Sequence, residues 1–278
     1  MTELHSETQG AGEPLVLWHG WGMNLRVFDP LVEHLAGRYR VTRVDLPGHG
    51  RSAWPALDAA DVAADADAAA PAASLDAALP ALLARLPPDC TLVGWSLGGQ
   101  LAMRAAELAP GRIRALILLH TTPKFVADGS WPHGVASRVL QGFARSLQAS
   151  PARTVADFIE LQVRGSRDAD TVLAQLRQAL HDHGAAQPVA LAAGLALLRG
   201  SDLRHLAARL RVPTLIVAGQ YDRVTPPAAS RALCALLPDA RLEELPRAGH
   251  ASFLSHAGPV AALCSDWLRA VHRRPAPA

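Results

Sequence analysis

The sequence predicts an α/β fold: a mostly parallel sheet with helices on both faces, interrupted by one inserted helical segment. Three observations carry this. Short apolar runs bounded by turn residues, too short for helices, recur along the chain. Helix-length segments separate them, and strands alternating with helices build parallel sheets. The alternation stops between about Thr121 and Asp202, where the pattern is helical and no convincing strand is legible.

The strands are expected at Leu15–Trp18, Val41–Val44, Thr91–Val93, Ala115–Leu119 and Thr214–Ala218, with Arg241–Leu245 as a weaker last strand. Helices are expected at Leu25–Ala36, Leu75–Arg85, Leu97–Leu108, Pro227–Leu236 and Pro259–Val271, the third stopped by Pro110-Gly111. Residues 1–120 and 203–278 thus form the core, and 121–202 a helical lid with helices at Gly134–Gln148, Ala152–Val163, Thr171–His183 and Pro188–Leu198. A segment inserted between two sheet strands sits at their carboxyl ends, where α/β sheets bind ligands. Ala56–Ala73, almost all Ala, Asp, Val and Pro, reads as a surface excursion without assigned function.

At 278 residues, half of them hydrophobic and 19% charged, the chain has the composition of a folded α/β domain with one insertion. A formal charge of +2 without a dense Lys/Arg stripe argues against nucleic acid. Met1–Gly12 is polar and lacks a charged segment followed by an apolar one, so no secretory signal is read and a cytoplasmic location is expected. No apolar run approaches the roughly 20 residues needed to cross a bilayer, so no membrane partner is expected. Cys90, Cys234 and Cys264 lie far apart without ligand spacing, so neither a disulfide framework nor a metal site is read. His181-Asp182-His183 reads as a solvated helix end, because neighbours on a helix point in different directions. A monomer is expected.

The chemistry is concentrated at strand ends. Gly94-Trp95-Ser96-Leu97-Gly98-Gly99 is a G-x-S-x-G placed directly after an expected strand and before an expected helix. Its glycines suit a tight turn that exposes a nucleophilic hydroxyl. A serine hydroxyl needs a base, and the base needs an acid to orient it. His250, in Ala248-Gly249-His250, follows the last strand, and Asp222, in Gly219-Gln220-Tyr221-Asp222, follows the one before it. The order Ser, Asp, His suits a strand-to-helix serine turn of this kind. His19-Gly20-Trp21-Gly22 follows the first strand and supplies the Trp21 N–H, beside that of Leu97, as an oxyanion hole. A plain strand-to-helix turn is the alternative reading of the two Gly-rich loops around Ser96 and Trp21, a turn former that of Asp222, and a structural or solvated residue that of His250. Ester, thioester, amide or carbon–carbon hydrolysis through an acyl-enzyme follows from a serine at this turn, with no cofactor.

These runs, with Leu17-Trp18-His19-Gly20-Trp21-Gly22-Met23-Asn24 and Asp45-Leu46-Pro47-Gly48-His49-Gly50-Arg51-Ser52, resemble the α/β-hydrolase fold and, within it, the biotin-pathway carboxylesterases that demethylate pimeloyl-acyl-carrier-protein methyl ester. Trp131-Pro132, Leu140-Gln141-Gly142-Phe143, Arg153-Thr154-Val155, Phe158, Leu161-Gln162 and Gly200-Ser201-Asp202-Leu203-Arg204 extend the resemblance through the lid. It implies an acyl slot lined by Trp21 and Phe158 with Leu161 and Gln162 nearby, and substrate contacts from Ser96, Leu97, Ile159, Glu160 and His250. Val155, Phe158, Ile159 and Gln162 stand at spacings of three and four, one face of a helix. It also implies an acidic acyl-carrier protein as partner, met by lid arginines Arg138, Arg145, Arg153 and Arg164. Asp157, Asp170 and the long Ala56–Ala73 stretch depart from that family's pattern. A short-chain carboxylesterase acting on small esters, a carbon–carbon hydrolase and a non-catalytic binding protein are the alternatives.

Overall fold

In the computed structural model, residues 3–55, 79–166 and 168–273 are described; the Ala56–Ala73 stretch and the start of the Leu75–Arg85 helix lie outside them. The sheet has seven strands: β1 (Ser6–Gln9), β2 (Glu13–Trp18), β3 (Tyr39–Val44), β4 (Cys90–Trp95), β5 (Ile113–Leu119), β8 (Thr214–Gly219) and β9 (Ala240–Leu245). Their spatial order is β1-β3-β2-β4-β5-β8-β9, and only β1 runs antiparallel to its neighbour.

The apolar runs are continuous because both faces of the sheet are covered, and successive side chains feed opposite cores. Val16, Trp18, Leu92, Leu116, Leu118 and Ile216 pack in one cluster. Leu15, Leu17, Val93, Trp95, Ile117, Leu119, Leu215 and Val217 pack in the other. Helices α2 (Leu79–Ala84), α3 (Leu97–Leu108) and α9 (Pro227–Leu236) bury residues in the first; α1 (Asp29–Leu35), α10 (Ser252–Ser255) and α11 (Ala257–His272) bury theirs in the second.

Three departures from expectation are local. β1 is Ser-Glu-Thr-Gln, so no apolar pattern announces it; it pairs as an edge strand, where polar side chains are the rule. The Leu25–Ala36 helix is two pieces, a 3-10 turn at Leu25–Phe28 capped by the Asn24 side chain and α1, which opens with Pro30 in its first turn. Two two-residue strands, β6 (Val126–Ala127) and β7 (Val135–Ala136), form a small parallel pair inside the insertion, where none was expected.

The rest of the insertion is helical: α4 (Ser137–Ala149), α5 (Pro151–Val163), α6 (Ala169–His183) and α7 (Pro188–Gly200), with the short α8 (Arg204–Ala207) returning to the sheet. Its two ends run side by side: Leu203 N–H donates to Pro123 O at 2.8 Å, and Lys124 and Asp202 pair across the same doorway. The far side is tied down as well. Asn24 Nδ2 donates to the carbonyls of Ala179 and Gly184, each at 2.9 Å, and Gln187 N–H to Gly48 O at 2.8 Å. His183 is here too, buried with Nε2 2.8 Å from Asp45 Oδ2. The solvated helix end therefore holds for His181 and Asp182, both exposed, but not for His183, which the last turn of α6 swings inward onto the core.

Candidate active site

Five strands end at one place. Ser96 follows β4, His120 follows β5, Asp222 follows β8, His250 follows β9, and the His19–Gly22 loop follows β2. Ser96 adopts φ 55 and ψ −116, a left-handed backbone that costs a non-glycine residue strain. Neighbouring groups hold it from both sides: Ser96 N–H donates to Leu119 O at 2.9 Å and the Thr121 hydroxyl donates to Ser96 O at 2.7 Å. The turn admits no side chain two residues to either side of the serine. A Cβ at Gly94 would stand 2.5 Å from Gly98 O, and one at Gly98 would stand 2.3 Å from Trp18 O.

Asp222 and His250 are brought together as the sequence suggested, with His250 Nδ1 2.8 Å from Asp222 Oδ2. The other carboxylate oxygen accepts from Val224 N–H and Thr225 N–H at 2.8 Å each, a turn that fixes the side chain. Burial by itself would raise the Asp222 carboxyl, but the charge of His250 and hydrogen bonds from His120 and His250 outweigh it and hold the group below the usual carboxylate range. The His250 main chain is held from both sides: its N–H donates to Gln162 O of α5 at 3.0 Å, and Trp95 Nε1 donates to its carbonyl at 2.9 Å. His250 Nε2, the nitrogen opposite the carboxylate, is buried without a hydrogen-bond partner among the described residues.

The His19–Gly22 loop passes directly over the serine, so that a Cβ on Gly20 would lie 3.3 Å from Ser96 Cβ. His19 locks it: Leu46 N–H donates to His19 Nε2 at 2.9 Å, so the ring proton sits on Nδ1, 2.8 Å from Gly20 O. Leu97 is the first residue of α3, whose opening N–H groups have no partner within the helix.

Above these loops lies an aromatic cluster. The Trp21 indole meets Phe158 of α5 and Phe143 of α4 edge-on, both at 5.2 Å between centroids, and the two phenylalanines meet at 5.6 Å. Trp21 Nε1 donates to Leu191 O of α7 at 2.9 Å, and Gly194 leaves room for both Trp21 and Leu97. Leu161 is partly buried against the hydrophobic core that includes Trp21, and Gln162 is buried. Ile159 faces the other way, into the core with Val163, Val172 and Leu176. Glu160, about 100° further round the helix than Ile159, is exposed on α5 and paired with Arg177 Nη2 at 2.8 Å. Arg138, Arg145, Arg153 and Arg164 are all exposed on or just beyond α4 and α5, with Arg153 paired to Asp157.

Motif reasoning missed His120, Thr225 and Phe143 as parts of the site. His120 immediately follows the apolar run Ala115–Leu119, so its position at a strand end was the available signal. Two groups, His120/Asp222/His250 and His5/Asp45/His183, each place ligand-type atoms within 4.8 Å of one another. In both, the carboxylate is already engaged by imidazole and backbone N–H groups at hydrogen-bond distance, the geometry of an orienting network.

The alpha/beta hydrolase fold family model matches residues 13–257. This chain is an α/β hydrolase. Its relatives narrow the family. It is 40% identical over 255 residues to a pimeloyl-acyl-carrier protein methyl ester esterase from Nitrosomonas europaea, covering 92% of this chain and 95% of that one. It is 41% identical over 253 residues to an esterase of the same name from Chromobacterium violaceum, covering 91% and 93%. The hydrolase belongs to this esterase family. An esterase from Exiguobacterium antarcticum shares its fold at a TM-score of 0.80 and 22% identity, with 96% of each chain covered. A hydrolase from Pseudomonas aeruginosa superposes at 0.72 and 27%, with 96% of this chain and 94% of that one covered.

Proposed function

We propose that this esterase hydrolyses the methyl ester of pimeloyl-acyl-carrier protein, freeing a carboxylate for biotin precursor synthesis. The observation that carries the reading is the buried Asp222–His250 pair beside the strained Ser96 turn, roofed by an aromatic cluster to which the insertion contributes Phe143 and Phe158. Ser96 Oγ gives its proton to His250 Nε2 and attacks the ester carbonyl. The Trp21 and Leu97 N–H groups receive the oxyanion, each such donor contributing about 3 kcal/mol to the transition state. Protonated His250 hands its proton to the departing methoxide, and methanol leaves. Water, deprotonated by His250, then cleaves the acyl-enzyme and regenerates the serine. The reaction consumes only water and needs no cofactor.

Residues 121–202 act as the lid. Trp21, Phe143 and Phe158, with Leu161 and Gln162 beside them, form the wall of an acyl slot, and the exposed Arg138, Arg145, Arg153 and Arg164 meet the acidic carrier. Among the described residues no helix is long and apolar enough to cross a membrane.

The test is methanol release from pimeloyl-acyl-carrier-protein methyl ester beside a p-nitrophenyl ester series, for wild type and Ser96→Ala. Turnover of the carrier-linked ester should dominate and vanish in Ser96→Ala. Turnover confined to the small esters would leave a general carboxylesterase and remove the carrier protein as partner.

A further inference from the structure

The roles proposed for Ser96, His250 and Asp222 leave one imidazole of this site unexplained. His120 is fully buried at the carboxyl end of β5, in a left-handed conformation of φ 47. Its Nδ1 lies 3.1 Å from Asp222 Oδ2, the same oxygen that His250 Nδ1 meets at 2.8 Å. Its Nε2 lies 3.3 Å from the backbone N–H of Ser252, a group that can only donate, and 2.6 Å from Ser252 Oγ. An imidazole whose Nε2 accepts carries its proton on Nδ1. His120 therefore donates to Asp222, and Ser252 of α10 holds it in that tautomer. Thr225 ties the two together, with Oγ1 2.8 Å from Asp222 Oδ2 and 3.0 Å from His120 O.

We propose that His120 is a positioning residue of this hydrolase: its Nδ1–H fixes the Asp222 carboxylate with Oδ2 toward His250 and shares the charge that would otherwise act on His250 alone. The inference rests on reading Asp222 and His250 as the orienting acid and the base. Two backbone N–H groups hold Oδ1, but only side chains hold Oδ2, so removing His120 takes away one of the contacts that set the angle of approach to His250. It also takes away a donor that disperses the carboxylate's charge, so the remaining anion should stabilise the His250 imidazolium more strongly. A slower enzyme with a more basic histidine is the signature. The ionisable groups facing His120 are Asp222 from the loop after β8, His250 from the loop after β9 and His256 at the start of α11, and only the first two touch the reacting proton's path.

The experiment compares wild type, His120→Leu and His120→Asn on p-nitrophenyl acetate, with active sites counted by a fluorophosphonate label. The 15N-labelled proteins are examined for downfield imidazole N–H resonances. Wild type should show two protected resonances, one from each histidine on Asp222. His120→Leu should lose one of them, lower kcat about 10- to 100-fold with KM within about twofold, and move the acidic limb of kcat/KM to higher pH. His120→Asn, whose amide N–H can occupy the Nδ1 position, should recover most of kcat and return the limb toward wild type. A single downfield resonance in wild type overturns the proposal whatever the variants do. So does a His120→Leu protein with wild-type kcat and limb, or an Asn variant that folds but restores neither. Because p-nitrophenyl acetate reports on the triad and not on the carrier-linked ester, failure of the proposed natural substrate leaves these outcomes readable.

Discussion

Ser96 sits in a conformation that a side chain normally avoids, and its turn closes only because Gly94 and Gly98 have no Cβ to meet the neighbouring backbone. The turn therefore separates glycines that are required from glycines that are merely present. Gly98→Ala would drive a methyl into the Trp18 carbonyl, which is sheet backbone and cannot move aside. Gly142, inside α4, has nothing within 4 Å of where a Cβ would be. Gly98→Ala should abolish turnover and lower the melting temperature, whereas Gly142→Ala should leave activity intact and stabilise the protein by about 1 kcal/mol through helix propensity alone. Thermal melts of the two variants would check this, and a Gly98→Ala protein with wild-type activity would refute the account of the turn.

At the scale of elements, the aromatic cluster is built from three separate pieces of chain: Trp21 from the loop after β2, Phe143 from α4 and Phe158 from α5. Phe158→Ala should reduce kcat/KM about tenfold or more for a pimeloyl-length ester and little for an acetyl ester. Combined with Phe143→Ala, the losses should be less than additive, since the rings touch. Equal losses on both esters would show that the rings merely support the fold. The same elements show what a sequence exposes. The strand-turn-helix around Ser96 is legible because strand, motif and helix agree, and α3 begins and ends where its glycines and Pro110 place it. β1 is not legible, because an edge strand needs no apolar residues. Asp222 and His250 could be found from their places after consecutive strands. His120 and His183 could not be assigned roles, because what defines them is a partner about a hundred residues or more away, Asp222 for one and Asp45 for the other.

For the molecule as a whole, three buried histidines make folding depend on pH. Burial pushes His49 down to about 4, drives His19 well below the ordinary imidazole value with His49 adding to the effect, and lowers His120 although Asp222 opposes the shift. In the unfolded chain these rings protonate near 6.5. Between about pH 6.5 and 4 the unfolded state therefore binds protons that the native state refuses, and stability falls as pH falls. His49 alone corresponds to a loss on the order of 3 kcal/mol across that window. Asp222 acts lower: its depressed carboxyl contributes stability above the unfolded value of 3.8, which disappears as pH drops further. The urea midpoint should drop clearly from pH 7.5 to pH 5, and His49→Gln should flatten the slope; a midpoint constant over that range would contradict the burial of neutral rings.

The single doorway through which the insertion enters and leaves the sheet makes it a cassette, exchangeable in principle at Pro123 and Leu203 without cutting a strand. Yet the amide of His250 leans on a carbonyl of that cassette, at Gln162. A lineage that trades one roof for another to reach a new substrate must supply an acceptor at the same spot, so diversification of specificity here is tethered to the upkeep of the histidine proposed as the base.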